Sequence, residues 1–367
     1  MKIGIITYYY HNYNYGGCLQ AYALTNFLNS KGFQAKQISY FPIVERNFFK
    51  KMIHFIQRGN LKNKFKKNNF NKKILSQDIK NHFDEFCADM IPHTHLVNEK
   101  DIINLNKDFD VFISGGDQIW NPISFRETYF LNFANNDKLK LSYSPSIAVD
   151  KLTLLEKIKY KKLLSNYNYI SIRETTGQKI LEEILKKPVF KVLDPVFLLS
   201  YNQWKEISSD RIIDGKYIFV YILGNRTDIN LKINEYAKHK SLDIVYIPEI
   251  SPNIFGNKPV FNIGPTEFIS LIQNACLVIT DSFHALSFSL IFNTPFAIIN
   301  RILEKSKNDT MSRLRDFLIE LNLNPKFGGK NFEIDDIINN DNEYLKKLNE
   351  LRHYSIEYLL NSLLGEK

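Results

Sequence analysis

Short runs of apolar and β-branched residues alternate with longer stretches of helical period along most of the chain. Residues 2–7 (KIGIIT) are the first such run. A loop with Gly16 and Gly17 follows, then a helical apolar pattern over 19–28 and a second run at 34–40. Gly32 stands where that helix should end. This strand–loop–helix–strand unit predicts the opening of a parallel sheet. Further strands are predicted within 108–120 (DFDVFISGGDQIW), within 140–148 (KLSYSPSIA) and at the start of 168–181 (NYISIRETTGQKIL), which continues as a helix. Residues 191–199 (KVLDPVFLL) read as a short strand stopped at Asp194-Pro195, since the residue before a proline is steered away from helix.

A second series begins near Trp204. It predicts strands at 216–225, 242–250, 276–280 and 294–300, with helices over 231–238, 267–274 (capped by Thr266) and 285–292. Residues 342–364 carry the pattern of one or two amphipathic helices. Strands alternating with helices in both series predict two α/β domains with parallel sheets. The N-terminal one is expected over 1–200 and the C-terminal one over 201–340, with closing helices over 341–367.

Composition changes this picture little. With 367 residues, 44% hydrophobic and 24% charged, the chain suits a folded protein of two domains. No stretch approaches the ~20 apolar residues of a membrane helix. The first residues read as a strand and not as a secretion signal, so the expected location is cytoplasmic. Cys18, Cys87 and Cys276 are too few and too scattered for a disulfide framework or a metal knuckle, and a reducing compartment fits them.

Charge does change the picture. The net charge is +9, and residues 46–73 alone hold ten Lys and Arg with no Asp or Glu, so the rest is close to neutral. Phe48, Phe49, Met52, Ile53, Phe55 and Ile56 are interleaved with these cations. A solvated helical insertion, a surface for anionic lipid and a nucleic-acid patch all share this signature. No nucleic-acid-binding module accompanies it, and no nucleic-acid partner is expected.

In parallel sheets ligands bind beyond the carboxyl ends of strands, and four loops there carry polar residues. In HNYNYGGCLQ (11–20), Gly16 and Gly17 let backbone amides approach an anion at a helix start, or make a tight turn. In SGGDQIWNP (114–122), Asp117, Gln118, Trp120 and Asn121 offer the carboxylate, amides and indole that suit a sugar; Asp117 could equally cap a helix. In SIRETT (171–176), Arg173 suits a carboxylate or phosphate, or pairs with an acid such as Glu174. In TDSFHALSFSL (280–290), His284 falls at a strand-to-helix turn, where Asp281 and Ser282 could orient its ring. Position alone leaves it open between a core residue and a catalytic one. No HExxH, CxxC or GxSxG pattern occurs, so no metal site is expected; Cys276, inside a predicted strand, is expected to be buried.

Taken together and in order, YGGCLQAYAL, ISGGDQIWNP, SIRE, VLDPVFLL and VITDSFHALSFSLIFNTPFAII resemble the polysaccharide pyruvyl transferase family over roughly residues 1–300. The resemblance implies a GT-B-like fold, with two Rossmann-like domains facing across a cleft. The implied reaction moves pyruvate from phosphoenolpyruvate to a sugar, commonly as a cyclic ketal, in the assembly of capsule or exopolysaccharide. It needs no cofactor beyond that co-substrate. By position, His284 matches the family's histidine and Arg173 its arginine. The resemblance further implies His284 as general acid/base, Arg173 as donor anchor and Asp117 as partner of the acceptor hydroxyl. Gly16, Gly17, Gln118, Trp120 and Asn121 would line the cleft.

One departure stands out. Many members carry Arg-Leu before the histidine, where this chain has Ser282-Phe283. Arg301, Lys305, Lys307, Arg313 or Arg315 could supply the missing cation. Acceptors in such pathways ride on polyprenyl diphosphate, so 46–73 could serve as a peripheral membrane contact. The alternatives are a GT-B glycosyltransferase, with Glu304, Asp309 or Asp316 as a ribose-binding acid, and a non-catalytic glycan-binding protein.

Overall fold

A computed structural model describes residues 1–43, 75–301, 311–330, 332–340 and 342–365. The basic segment 46–73, Lys305, Lys307, Glu304 and Asp309 lie outside the described residues.

The N-terminal half is built on four parallel strands, β1 (Lys2–Ile6), β2 (Gln34–Gln37), β3 (Val111–Ser114) and β4 (Leu139–Ser142), in the order β2-β1-β3-β4. β3 is buried along its whole length, as expected for a strand covered on both faces. A two-stranded parallel pair, β5 (Ser171–Ile172) and β6 (Phe190–Lys191), extends beyond β4. The C-terminal half holds β7 (Tyr217–Tyr221), β8 (Asp243–Tyr246), β9 (Lys258–Pro259), β10 (Leu277–Thr280), β11 (Phe296–Ile299) and β12 (Phe327–Gly328). They run parallel in the order β12-β11-β10-β7-β8-β9, and β13 (Ile338–Asn339) pairs antiparallel with β11.

Local chemistry sets the helices. The helix Tyr15–Ser30 starts at Asn14, whose side chain accepts from Gly17 N at 3.1 Å, and stops before Gly32 at φ +84°, a left-handed turn that glycine adopts without strain. The helix Pro265–Gln273 is preceded by Gly264 at the cap position and has Pro265 as its first residue, so the cap lies two residues ahead of the expected Thr266. The tail is one helix, Tyr344–Leu364. Cys276 is exposed just ahead of β10, which corrects its expected burial: the strand begins one residue later.

One hydrophobic core passes from sheet to sheet. Tyr15 stacks on Phe268 at 4.3 Å with the rings 4° from parallel, and Trp204 meets Phe288 edge-on at 4.8 Å. Separate cores fill the outer faces of the two halves. The last helix returns to the first half, where Ser355 Oγ accepts from Leu193 N at 2.9 Å and Phe190 packs on Tyr358 at 5.0 Å. The carboxyl ends of β1, β3, β5, β7, β10 and β11 therefore open toward one shared cleft.

Candidate active site

The cleft encloses a cavity of about 290 Å³. Tyr8, Asn12, Asn14, Asp117, Gln118 and Ser124 line it from the first half with amide, hydroxyl and carboxylate groups, and Arg173 adds a cation. Tyr221, Asp281, Ser282, His284, Arg301 and Arg313 line it from the second.

The turn TDSFH is fixed residue by residue. Thr280 Oγ1 donates to Tyr221 O at 2.7 Å and accepts from Ser282 N at 3.0 Å. Ser282 caps the helix Phe283–Phe292, which puts His284 in its first turn. Asp281 is fully buried and does not orient the imidazole, contrary to expectation. It spends its carboxylate on the N–H groups of Leu223 and Gly224, both at 2.8 Å, and on Arg301 Nε at 2.9 Å.

The acid that faces His284 is Asp194, which the sequence marked only as a strand stop. It is 1% exposed and lies at the end of the β6 segment, where Pro195 starts a 3-10 turn. Its Oδ2 accepts from Arg173 NH1 at 2.6 Å and sits 3.7 Å from His284 Nε2; its Oδ1 accepts from Val196 N at 3.1 Å. The distance to Nε2 is too long for a hydrogen bond, so that nitrogen is buried with no partner among the described residues. Burial opposes ionisation of Asp194, but the charge of His284, then Arg173 and the Val196 N–H, outweigh it and hold the carboxyl at about 2. The same aspartate, against the cost of burial, keeps Arg173 more firmly protonated than usual. Phe283 covers the Arg173 guanidinium at 4.7 Å, so the departure from the Arg-Leu pattern puts an aromatic face on the remaining arginine.

The three arginines of the cavity differ in their pairing. Arg173 has Asp194, and Arg301 has Asp281. Arg313 is held only by a 3.4 Å contact from NH1 to Ser146 Oγ, with no carboxylate in ion-pair contact among the described residues. Burial, followed by repulsion from Arg173, pushes its guanidinium down to about 10, although Glu174 and Asp117 act against this. Arg315 turns away and stacks over Phe327 at 5.2 Å. Asp316 borders a separate, much smaller cavity beside Lys191 and Glu320.

Asp117 reaches the cavity through a left-handed backbone, φ +64°, and its carbonyl accepts from Ser146 N at 2.8 Å, which ties the loops after β3 and β4 together. Trp120 is a correction. It is 0% exposed, stacked on Phe130 at 5.3 Å with Nε1 bonded to Tyr129 O, because the turn after Gln118 directs the indole into the outer core. Asn121 is also outside the cavity lining: it caps the turn Pro122–Ser124 and donates to Gln118 Oε1 at 3.2 Å. Gly17 packs beneath the loop, where a Cβ would meet Tyr8 O at 2.7 Å, while Gly16 lines the cavity. Sequence pattern alone does not single out Tyr8, Asn12, Asn14 or Ser146; the run of aromatic and asparagine residues after β1 is the one signal for the first three.

In fold, the chain is similar to UDP-GlcNAc 2-epimerase from Methanocaldococcus jannaschii, with 14% identity, TM-score 0.53, and 96% of this chain and 92% of that one covered. It is similar in the same way to UDP-N-acetylglucosamine 2-epimerase from Rickettsia bellii, with 12% identity, TM-score 0.50, and 99% and 96% covered. At such identities the likeness is one of architecture, the GT-B arrangement of two Rossmann-like halves. No curated protein sequence matches the chain. The family model described as polysaccharide pyruvyl transferase matches residues 14–301, a span that contains Asp117, Arg173, Asp194 and His284, and the chain belongs to that family.

Proposed function

We propose that the protein transfers pyruvate from phosphoenolpyruvate to two hydroxyls of a sugar, forming a cyclic ketal on a polyprenyl-diphosphate-linked precursor of a cell-surface polysaccharide. The observation that carries this reading is the trio Arg173–Asp194–His284 beside Arg313, an arginine without a carboxylate partner among the described residues. Phosphoenolpyruvate brings a carboxylate and a phosphate, and Arg313 with Arg173 offers the charge to hold them. Arg313 takes the part of the cation missing before His284, and Arg301 is committed to Asp281.

Nε2 of His284, which faces Asp194 at 3.7 Å and makes no hydrogen bond among the described residues, gives a proton to the methylene carbon of the donor. An oxocarbenium-like centre forms at C2. One sugar hydroxyl attacks it and passes its proton to Asp117. Inorganic phosphate then leaves with the C2–O bonding pair and the proton held by Asp117, and the second hydroxyl closes the ring as it returns its proton to His284. The amide and hydroxyl groups of Asn12, Asn14, Gln118 and Ser124 make the first half the acceptor side, and the second half the donor side.

No helix among the described residues is long and apolar enough to cross a membrane. Contact with the lipid carrier at the cytoplasmic membrane face falls to the basic segment 46–73, and sedimentation with anionic liposomes tests it: equal binding after deletion of 46–73 overturns it. For the reaction, a lipid-linked oligosaccharide incubated with protein and phosphoenolpyruvate should gain the mass of pyruvic acid less one water by mass spectrometry and release phosphate. No mass gain with phosphoenolpyruvate, but thermal stabilisation by a nucleotide sugar, would favour a glycosyltransferase instead.

A further inference from the structure

Two of the three cysteines touch. Cys18 Sγ and Cys87 Sγ are 3.4 Å apart, Cys18 fully buried in the first turn of the helix Tyr15–Ser30 and Cys87 half-buried on the helix Gln77–Met90. This is thiol contact, about 1.4 Å beyond the ~2.05 Å of a disulfide bond. The positions matter because the first of these helices brings Tyr15 and Gly16 to the cavity. Gly16, two residues before Cys18, lies against the His284 ring, and Gly17 lies against Tyr8 O. On the other helix, Asp84 pairs with His11 Nδ1 at 3.0 Å and accepts from Tyr13 Oη at 3.3 Å, so it holds the loop that leads into Tyr15. Cys276 is exposed and stands apart, ahead of β10.

We propose that Cys18 and Cys87 are a reversible dithiol–disulfide site, closed by a peroxide, that clamps the first turn of the helix Tyr15–Ser30 to the helix Gln77–Met90. The hydrogen bond to Cys87, and then burial, push the Cys18 thiol well above the ordinary range, so the more accessible Cys87 meets the oxidant first. Its thiolate attacks peroxide, which breaks the O–O bond and leaves a sulfenic acid and water. Cys18 then attacks that sulfur. The S–S bond forms, the S–O bond breaks, and hydroxide leaves as water with the Cys18 proton. Overall, two thiols are oxidised and one peroxide is reduced to two waters. A dithiol reductant reverses the bond by exchange. Such transient bonds are the form in which disulfides occur in reducing compartments.

The test uses the full chain, hydrogen peroxide and an alkylating quench. The expected product has lost two hydrogens, keeps Cys276 as its alkylatable thiol and yields a peptide linking Cys18 to Cys87; dithiothreitol restores all three thiols. Hydrogen exchange of the amides of 15–18 should slow in the oxidised protein, and its Tm should rise by a few degrees. C18S and C87S should each lose the link and both shifts. Persistence of three free thiols, over-oxidation of Cys87 without a link, or a link with unchanged exchange at 15–18 would each overturn the clamp. These readouts are mass and exchange, so the outcome does not depend on which reaction the cavity performs.

Discussion

Gly16 and the imidazole of His284 are in direct contact across the cleft: a Cβ on Gly16 would stand 2.0 Å from Nδ1 and 2.3 Å from Cγ. The missing side chain is what allows the helix Tyr15–Ser30 to seat against the ring. Gly16→Ala must push the imidazole off its place beside Asp194. A displacement of ~1 Å in a reacting group costs on the order of 100-fold. We expect kcat/KM to fall by about that factor while the far-UV circular dichroism spectrum is unchanged. Wild-type turnover in this variant would mean that the contact does not set the ring.

His284→Gln keeps a polar side chain of similar reach but no proton of suitable acidity. Phosphate release from phosphoenolpyruvate with acceptor present should fall by ~10²-fold or more. The fold should survive, because the helix Phe283–Phe292 is capped by Ser282 and not by His284. Full turnover would remove His284 from the acid role.

Arg313→Gln removes the cavity cation that has no carboxylate partner among the described residues. Charge-assisted hydrogen bonds contribute about 1.5–3 kcal/mol, so KM for phosphoenolpyruvate should rise by roughly 10- to 100-fold, more than kcat falls. Arg315→Gln, which removes the stack on Phe327 and leaves the cavity-lining arginines in place, is the comparison and should leave KM alone. Equal KM effects from both variants would show general loss of positive charge and not a site.

Asp194 makes stability depend on pH in a defined direction. Its carboxyl is held at about 2, below its ordinary 3.8, so its ionised form favours the folded state. That contribution, about 2 kcal/mol, is complete above roughly pH 4 and drains away as pH falls toward 2. Asp194→Asn should cost about 3–5 kcal/mol at pH 7, because it strands the buried Arg173. The gap between variant and wild type should narrow in acid. Denaturant melts at pH 7 and pH 2.5 that show the same gap would refute the linkage.

Sequence pattern resolved the frame better than the site. β3, β7 and β10 are unbroken apolar runs buried throughout, and they were legible for that reason. The run at 216–225 overshot β7, since Ile222 and Leu223 are apolar but belong to the loop whose N–H groups Asp281 collects. The helix Leu154–Leu164 was missed because Leu154, Leu155 and Ile158 face solvent and blur its period. Among site residues, His284, Arg173 and Asp117 were legible from their place after strands. Asp194 was not, because its partners are 21 residues before it and, across the cleft, on the first turn of a helix in the other half. Trp120 failed for the opposite reason: its composition fits a sugar platform, but only the turn decides which way the indole points.

The return of the helix Tyr344–Leu364 to the first half also sets a timetable for synthesis. Leu193 N must wait for Ser355, 162 residues later, which takes roughly 8–32 s at about 5–20 residues per second. Phe190 and the strands beside it spend that interval without their final cover. The newly made first half is therefore a stretch of nascent chain on which a ribosome-associated chaperone has time to act.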